Sequence, residues 1–288
     1  MISLLCPECF QSLHESSLEC AAGHKVKVSD GIIELYSEEF RKKLEQFLVN
    51  YHRAWTKLNS AWTENEMNTA PFFYSGERKK EWAYRRKSLT VTKDVFRSEK
   101  KLYVLEIGPW NGWLSRQILK AGHRLITLDY FREKPYGLKS VNDIPGQKTC
   151  IQTNLSDLSL INEKFDLIIV NHCLQFMEDP LMTISHLKKK LLSGGKLFII
   201  GSPVYLQSQK KAQKIQLQKK LFLKEFGFDL YFQAGKGYLD AHDRDALIKE
   251  GVHFKMYPGA GIKNFVSGML SSRPLYLFGE FRNDVDNL

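Results

Sequence analysis

Four metal-ligating side chains stand within the first 24 residues, as Cys6-Pro-Glu-Cys9 followed by Cys20-Ala-Ala-Gly-His24. Two residues between the first thiols let both face one ion from a tight turn. The second pair supplies the opposite side of a tetrahedron. Thiolate and imidazole are zinc ligands, and four of them leave no open position, so the chemistry expected of Cys6, Cys9, Cys20 and His24 is structural. His14 is a rival for the fourth place, but His24 has the better spacing. The competing reading is a set of free thiols in a loop. Cys150 and Cys173 lie in strand-like contexts and read as small buried hydrophobes.

A second constellation begins at Val104-Leu105-Glu106-Ile107-Gly108-Pro109-Trp110-Asn111-Gly112. An apolar strand ends in an acidic residue, and two glycines precede a helix. Glycines there let backbone approach a ligand closely. The spacing is Gly108-x-x-x-Gly112, and the bulk of Trp110 between them argues against a pyrophosphate contact of the G-x-G-x-x-G kind. Asp129 closes the next strand, 21 residues after Gly108. A carboxylate at that separation can accept both ribose hydroxyls of a nucleoside at a sheet switch point. Asn154 after the third strand, Asn171-His172 after the fourth, and Leu191-Leu192-Ser193-Gly194-Gly195 complete the series.

The elements that must position these groups alternate from Lys101 onward. Strands are predicted over Leu102–Ile107, Arg124–Leu128, Thr149–Thr153, Phe165–Val170 and Lys196–Ile200. Helices are predicted over Asn111–Ala121 and over Leu181–Leu192, the latter stopped by Ser193-Gly194-Gly195. Such alternation predicts an α/β fold with a doubly wound, mostly parallel sheet covered on both faces. Ahead of it, Val26–Leu35 alternates and turns at Asp30-Gly31, as a small zinc ribbon would. Between the two, Phe40, Leu44, Phe47, Leu48, Tyr51 and Trp55 recur at helical spacing, and Trp62, Phe72, Phe73, Tyr74, Trp82 and Tyr84 follow. This aromatic stretch reads as core or as a lid over a flat ligand. The domains expected are a ribbon over 1–36, a helical lid or linker over 37–98, and a core over 99–288 with a helical insertion near 204–245.

The 288 residues carry 42 Lys and Arg against 32 Asp and Glu, a formal charge of +10. That balance suits an anionic partner such as RNA, a lipid surface or an acidic small molecule. At 43% hydrophobic and 26% charged, the composition excludes a wholly disordered or fibrous chain. No apolar run reaches the roughly 18 residues of a membrane helix. The start, Met1-Ile2-Ser3-Leu4-Leu5, lacks the basic and apolar regions of a secretory signal, so a cytoplasmic location is expected. The helical stretch Gln207–Glu225 is basic, with Lys210, Lys211, Lys214, Lys219, Lys220 and Lys224. It reads as a solvated face, as a docking surface or as a cap on the substrate pocket.

In their order and spacing, the five signals from Lys101 to Pro203 resemble class I S-adenosylmethionine-dependent methyltransferases. The resemblance implies a seven-stranded, Rossmann-like methyltransferase sheet. It places Glu106 near the methionine moiety of the cofactor and Gly108 and Gly112 in the cofactor loop, with Trp110 where the family has its middle glycine. Asp129 matches the ribose carboxylate, Tyr130 can flank adenine, and Asn154, with Leu155 beside it, stands where an Asp often meets the adenine amino group. Asn171 and His172 fall beside the transferred methyl. Gly108–Ser115, Gly201–Tyr205 and Trp82–Arg86 resemble a bacterial subgroup that also begins with a cysteine-rich knuckle. There Arg85 or Arg86 could pair with the cofactor carboxylate. The knuckle itself resembles that of 23S rRNA guanine-N1 methyltransferases.

The resemblance therefore implies S-adenosylmethionine as cofactor beside a structural zinc, and a methyltransferase acting on a small-molecule or natural-product acceptor. The alternatives are an rRNA or tRNA base methyltransferase, suggested by ribbon and charge, and a non-catalytic cofactor-binding protein, suggested by Trp110 and Asn154. His172 is the candidate catalytic base, since an imidazole titrates near neutrality; otherwise it shapes the pocket wall. Tyr51, His52, Trp55 and Tyr205 are expected to line the acceptor pocket.

Overall fold

A computed structural model of the chain describes residues 2–57, 64–72, 79–155, 158–259 and 271–284. Trp62, Phe73 and Tyr74 of the aromatic stretch lie outside them.

The strands are β1 (Lys27–Ser29), β2 (Ile32–Leu35), β3 (Tyr103–Ile107), β4 (Arg124–Asp129), β5 (Lys148–Thr153), β6 (Phe165–Asn171), β7 (Leu191–Ile200), β8 (Val204–Tyr205), β9 (Leu239–Asp240), β10 (His253–Met256) and β11 (Leu277–Arg282). The helices are α1 (Glu38–Lys57), α2 (Glu64–Thr69), α3 (Lys79–Phe96), α4 (Trp113–Lys120), α5 (Leu138–Asn142), α6 (Pro180–Lys189), α7 (Gln209–Phe226) and α8 (Ala241–Lys249).

Seven strands form the main part of one sheet in the order β5-β4-β3-β6-β7-β11-β10. Only β11 runs against the others. The N-terminal hairpin extends this sheet to nine strands: β2 pairs parallel with β5 in the register Ile32↔Cys150 to Leu35↔Thr153, and β1 lies outside it. β2 is consequently buried along its whole length.

The strands are apolar on both faces because both faces are covered. Leu105, Ile107, Ile126, Leu128, Ile168 and Val170 share one cluster with Ile184 and Leu187 of α6 and Leu247 of α8. Cys6, Leu13, Cys20 and Val26 of the N-terminal segment join that same cluster. On the other face Val104, Leu125, Leu167 and Ile169 pack against Trp82 and Phe96 of α3 and Trp113, Leu114 and Ile118 of α4.

Within α3, Trp82, Arg85, Ser88, Thr92 and Phe96 are buried, at helical spacing. The helix thus turns a mixed apolar and polar stripe toward the sheet. In α1, Phe47 meets Phe228 and Phe232, Tyr51 meets Phe131, and Trp55 meets Tyr136. Its aromatic stripe therefore rests on the loop after β4 and on the segment after α7.

One expected element differs. The helix predicted over Leu181–Leu192 ends at Lys189, and Ser193-Gly194-Gly195 lies inside β7. Leu191 pairs with Phe165 and Lys196 with Leu167, so the glycines form a bulge where the register shifts. Gly194 has φ +71, and a Cβ on Gly195 would come within 2.8 Å of the Leu192 carbonyl. A double glycine signals a bulge as well as a helix stop. Here Asn283, exchanging backbone bonds with both glycines, selects the bulge. The α4 helix also starts two residues later than predicted, at Trp113, because Gly112 is left-handed at its N-cap.

α3 carries weight in this core. Trp82→Ala should lower unfolding free energy by about 3–5 kcal/mol, as for other buried large-to-small changes. Chemical denaturation should show a lower midpoint; a loss under about 1 kcal/mol would contradict the packing described.

Candidate active site

A cavity opens beyond the carboxyl ends of β3, β4 and β6, where ligands bind in open parallel sheets. Gly108 and Trp110 after β3, Asp129 to Phe131 after β4, Leu155 after β5, and Asn171 to Cys173 after β6 line it. Arg85 and Trp113 close the end nearest α3 and α4, and Phe176, Met177 and Gln233 complete the wall.

The loop after β3 is held from below. Glu106 is fully buried; its Oε2 accepts from Ser115 Oγ at 2.5 Å and its Oε1 from Asn171 Nδ2 at 2.8 Å. Burial pushes its carboxyl up to about 7, against the two hydrogen bonds. Gly108 has φ +72, and a Cβ there would lie 2.8 Å from Cys173 Sγ and 3.1 Å from the Asn171 carbonyl. Only glycine lets the loop come this close to the end of β6. Trp110 stacks on Tyr136 at 5.7 Å, and the Arg85 guanidinium lies 4.3 Å from the Trp110 ring centroid.

Asp129 is buried, and its Oδ1 accepts from the Phe131 backbone at 3.0 Å. Burial raises its carboxyl to about 7, with the Glu106 charge adding to the shift against several backbone hydrogen bonds. Asn171 spends its amide nitrogen on Glu106, while its Oδ1 is buried with no hydrogen-bond partner among the described residues. An unpaired buried acceptor is costly, so it points to a missing donor. Arg85 is buried, with Nη1 on Glu81 at 2.6 Å. Burial, and then the Arg85 charge, hold His172 well below the ordinary imidazole range, so it is neutral at pH 7. Burial likewise pushes the Cys173 thiol well above its usual range, which keeps this cavity-wall sulfur from being a thiolate nucleophile.

Sequence reasoning placed Gly108, Trp110, Asp129, Tyr130, Leu155, Asn171, His172 and Arg85 together, and all stand in the cavity wall. Other candidates stand outside it. Glu106 lies beneath the loop. Gly112, at φ +76, packs close to Ile144 and Val141 and shapes the start of α4. Asn154 accepts from Gln233 Nε2 at 2.9 Å, so it is Gln233 that reaches the cavity. Tyr51 and Trp55 back the rim through Phe131 and Tyr136. His52 is exposed on the outward face of α1, and Tyr205 is buried against Tyr238, so neither lines the cavity. Phe131, Met177 and Gln233 were missed, for they sit in loops with no spacing to mark them; Phe176, in a single 3-10 turn after β6, and Trp113, at the start of α4, were missed as well. Cys173, read as a plain buried hydrophobe, also belongs to the wall.

In the N-terminal segment the Cys6, Cys9, Cys20 and His24 ligand atoms all lie within 4.8 Å of one another. Cys9 Sγ and Cys20 Sγ are 3.6 Å apart, and Cys6 Sγ and His24 Nδ1 are 3.7 Å apart. These are close to the edges of a tetrahedron about a centre with bonds of about 2.3 Å, the zinc–thiolate length. His14 is turned away, hydrogen-bonded to Ser16.

A methyltransferase-domain family model matches residues 58–229, more than half of the chain. The chain belongs to this family, and its fold is that of the class I S-adenosylmethionine-dependent methyltransferases. Among solved structures it is similar to the plantazolicin methyltransferase BamL in complex with a triazolic desmethylPZN analog and SAH, at 15% identity over 85% of this chain and 99% of that one, TM-score 0.48. It is also similar to N-methyltransferase NodS from Bradyrhizobium japonicum WM9, at 17% identity over 70% and 97%, TM-score 0.44. A third is the magnesium protoporphyrin IX methyltransferase ChlM from Synechocystis PCC 6803 with bound SAH, at 17% identity over 81% and 99%, TM-score 0.45. No curated protein matches the chain.

The buried acid gives a pH signature. In the folded chain Glu106 titrates near 7, above the roughly 4.3 of an unfolded glutamate. Its contribution is therefore fully present below about 4.3 and lost as pH rises through about 7. Glu106→Gln removes that dependence. Denaturant midpoints should move in the variant's favour, relative to wild type, from pH 5 to pH 8; a constant difference would contradict the assignment.

Proposed function

We propose that this cavity binds S-adenosylmethionine and presents its methyl group to a small-molecule or natural-product acceptor. The single observation that carries this is one cavity lined by Asp129 and by Asn171, whose buried Oδ1 has no hydrogen-bond partner among the described residues. β3 separates the strands that bear them, so the two groups are about 10 Å apart by strand spacing. Asp129 would take the ribose hydroxyls, with Tyr130 and Leu155 beside the adenine. Asn171 Oδ1 would accept from the methionine ammonium, and Arg85 would face its carboxylate. The Gly108 loop would lie along the cofactor between them.

Bound there, the cofactor supplies an electrophilic methyl on sulfur. The chain's part is to hold the acceptor in line and keep water out. Trp110, Trp113, Phe176 and Met177 give the wall an apolar, flat character that suits a small acceptor. His172, neutral beside Asn171, would take the acceptor's proton. The +10 charge keeps an RNA acceptor as the competing outcome; it would appear as binding that weakens steeply with salt.

We also assign Cys6, Cys9, Cys20 and His24 to one structural zinc. Two of its ligands, Cys6 and Cys20, belong to the same hydrophobic cluster as the sheet. Elemental analysis should find about one zinc per chain, and stripping it should lower the melting temperature. Purified chain free of zinc yet equally stable would overturn this.

For the cofactor, Asp129→Ala should weaken S-adenosylmethionine binding by about 1.5–3 kcal/mol, the range for hydrogen bonds to a charged group. Calorimetry at pH 8, where Asp129 is ionised, reads this directly. Equal affinity for wild type and variant would remove Asp129 from the site.

A further inference from the structure

The side of His172 turned toward α3 contains a hydrogen-bond chain that sequence spacing did not reveal. Ser88 Oγ lies 3.4 Å from His172 Nε2, 3.1 Å from Tyr257 Oη and 3.5 Å from the Tyr84 carbonyl oxygen. The Gly201 backbone N–H donates to Tyr257 Oη at 3.0 Å. Ser88 and Tyr257 are buried.

One assignment of donors gives every group in this chain a partner. A backbone N–H can only donate, so Tyr257 Oη accepts from Gly201 and has its own proton left to give. A carbonyl can only accept, so the single Ser88 proton goes to Tyr84. Both lone pairs of Ser88 Oγ then receive, one from Tyr257 O–H and the other from His172 Nε2–H. In that assignment the imidazole is the neutral tautomer protonated at Nε2, with its lone pair at Nδ1.

The ring is also fixed in place. His172 has φ +58, a left-handed conformation uncommon outside glycine. A Cβ on Gly201 would lie 2.1 Å from the imidazole carbons, so the ring packs flat against that glycine. Trp113 and Tyr84 meet the ring edge-on at 6.1 and 5.7 Å.

We propose that Ser88 and Tyr257 are positioning residues that hold His172 as the Nε2–H tautomer, so that Nδ1 is the atom that receives the acceptor's proton. This rests on the reading of the cavity given above. In the step it serves, the acceptor oxygen or nitrogen bonds to the methyl carbon as that carbon's bond to sulfur breaks, the electron pair remaining on sulfur. The acceptor's proton passes to Nδ1, and the imidazolium returns it to water after product leaves.

The test uses the full-length chain without any ligand, labelled with ¹⁵N-histidine, the His172 signals being assigned by their loss in His172→Asn. Wild type should show Nδ1 unprotonated and an Nε2–H resonance in contact with the Ser88 β-protons. In Ser88→Ala that proton should exchange with water faster, by roughly fivefold to tenfold, the weight of one net hydrogen bond. Ser88→Thr, which keeps the hydroxyl, should restore slow exchange, as a merely space-filling role would not require. A wild-type ring protonated at Nδ1 overturns the proposal even if no variant folds. Unchanged exchange in Ser88→Ala overturns the part given to Ser88. Because no cofactor is present, failure here is separable from failure of S-adenosylmethionine to bind, which calorimetry reads on its own.

Discussion

The carboxyl of Glu106 is the buried group on which the cavity depends. A carboxyl this deep is tolerable only when its oxygens are satisfied. Ser115 satisfies one and Asn171 the other. Ser115 belongs to the first turn of α4, so its bond fixes that helix against the end of β3. Asn171 ends β6, so its bond fixes that strand's exit and commits the amide nitrogen. The other amide atom, Oδ1, is left without a partner among the described residues. Between these anchors the chain must reverse through Gly108 and Gly112, both left-handed, and it delivers Trp110 to the cavity wall.

The N-terminal segment supports the same region from the other side. Arg132, in the loop after β4, donates to Glu34 of β2 at 2.6 Å and to Asp30 of the hairpin turn at 2.7 Å. Gln152 of β5 donates to the Tyr130 carbonyl at 2.9 Å, and Tyr36 donates to Glu34. The loop carrying Tyr130 and Phe131 is thereby tied to the strand next to the cysteine knuckle. A zinc in that knuckle would stiffen β1 and β2, and through Arg132 the wall beside Asp129.

Much of this was legible in the sequence, for identifiable reasons. Strands buried on both faces give continuous apolar runs, so Val104–Ile107 and Leu167–Val170 announce themselves. Residues at strand ends, such as Asp129 and Asn171, inherit their placement from the strand. The cysteine knuckle is local, and its four ligand atoms come together. Ser88 was hidden because a serine within a helical stretch looks like surface; only the burial of Arg85, Ser88 and Thr92 on one face reveals that it lies against His172. Gln233 lies in a segment without periodicity, and it reaches the cavity through tertiary packing alone. The pairing of β2 with β5 was equally invisible, since a short apolar strand does not name its neighbour.

The central claim is that one ligand spans Asp129 and Asn171 across the end of β3. A crystal structure with S-adenosylhomocysteine tests it most directly. The account predicts ribose hydroxyls within hydrogen-bond distance of the Asp129 carboxylate and the homocysteine ammonium within that distance of Asn171 Oδ1. Ligand density elsewhere on the chain, or in this cavity with Asn171 Oδ1 still unpartnered, would contradict it.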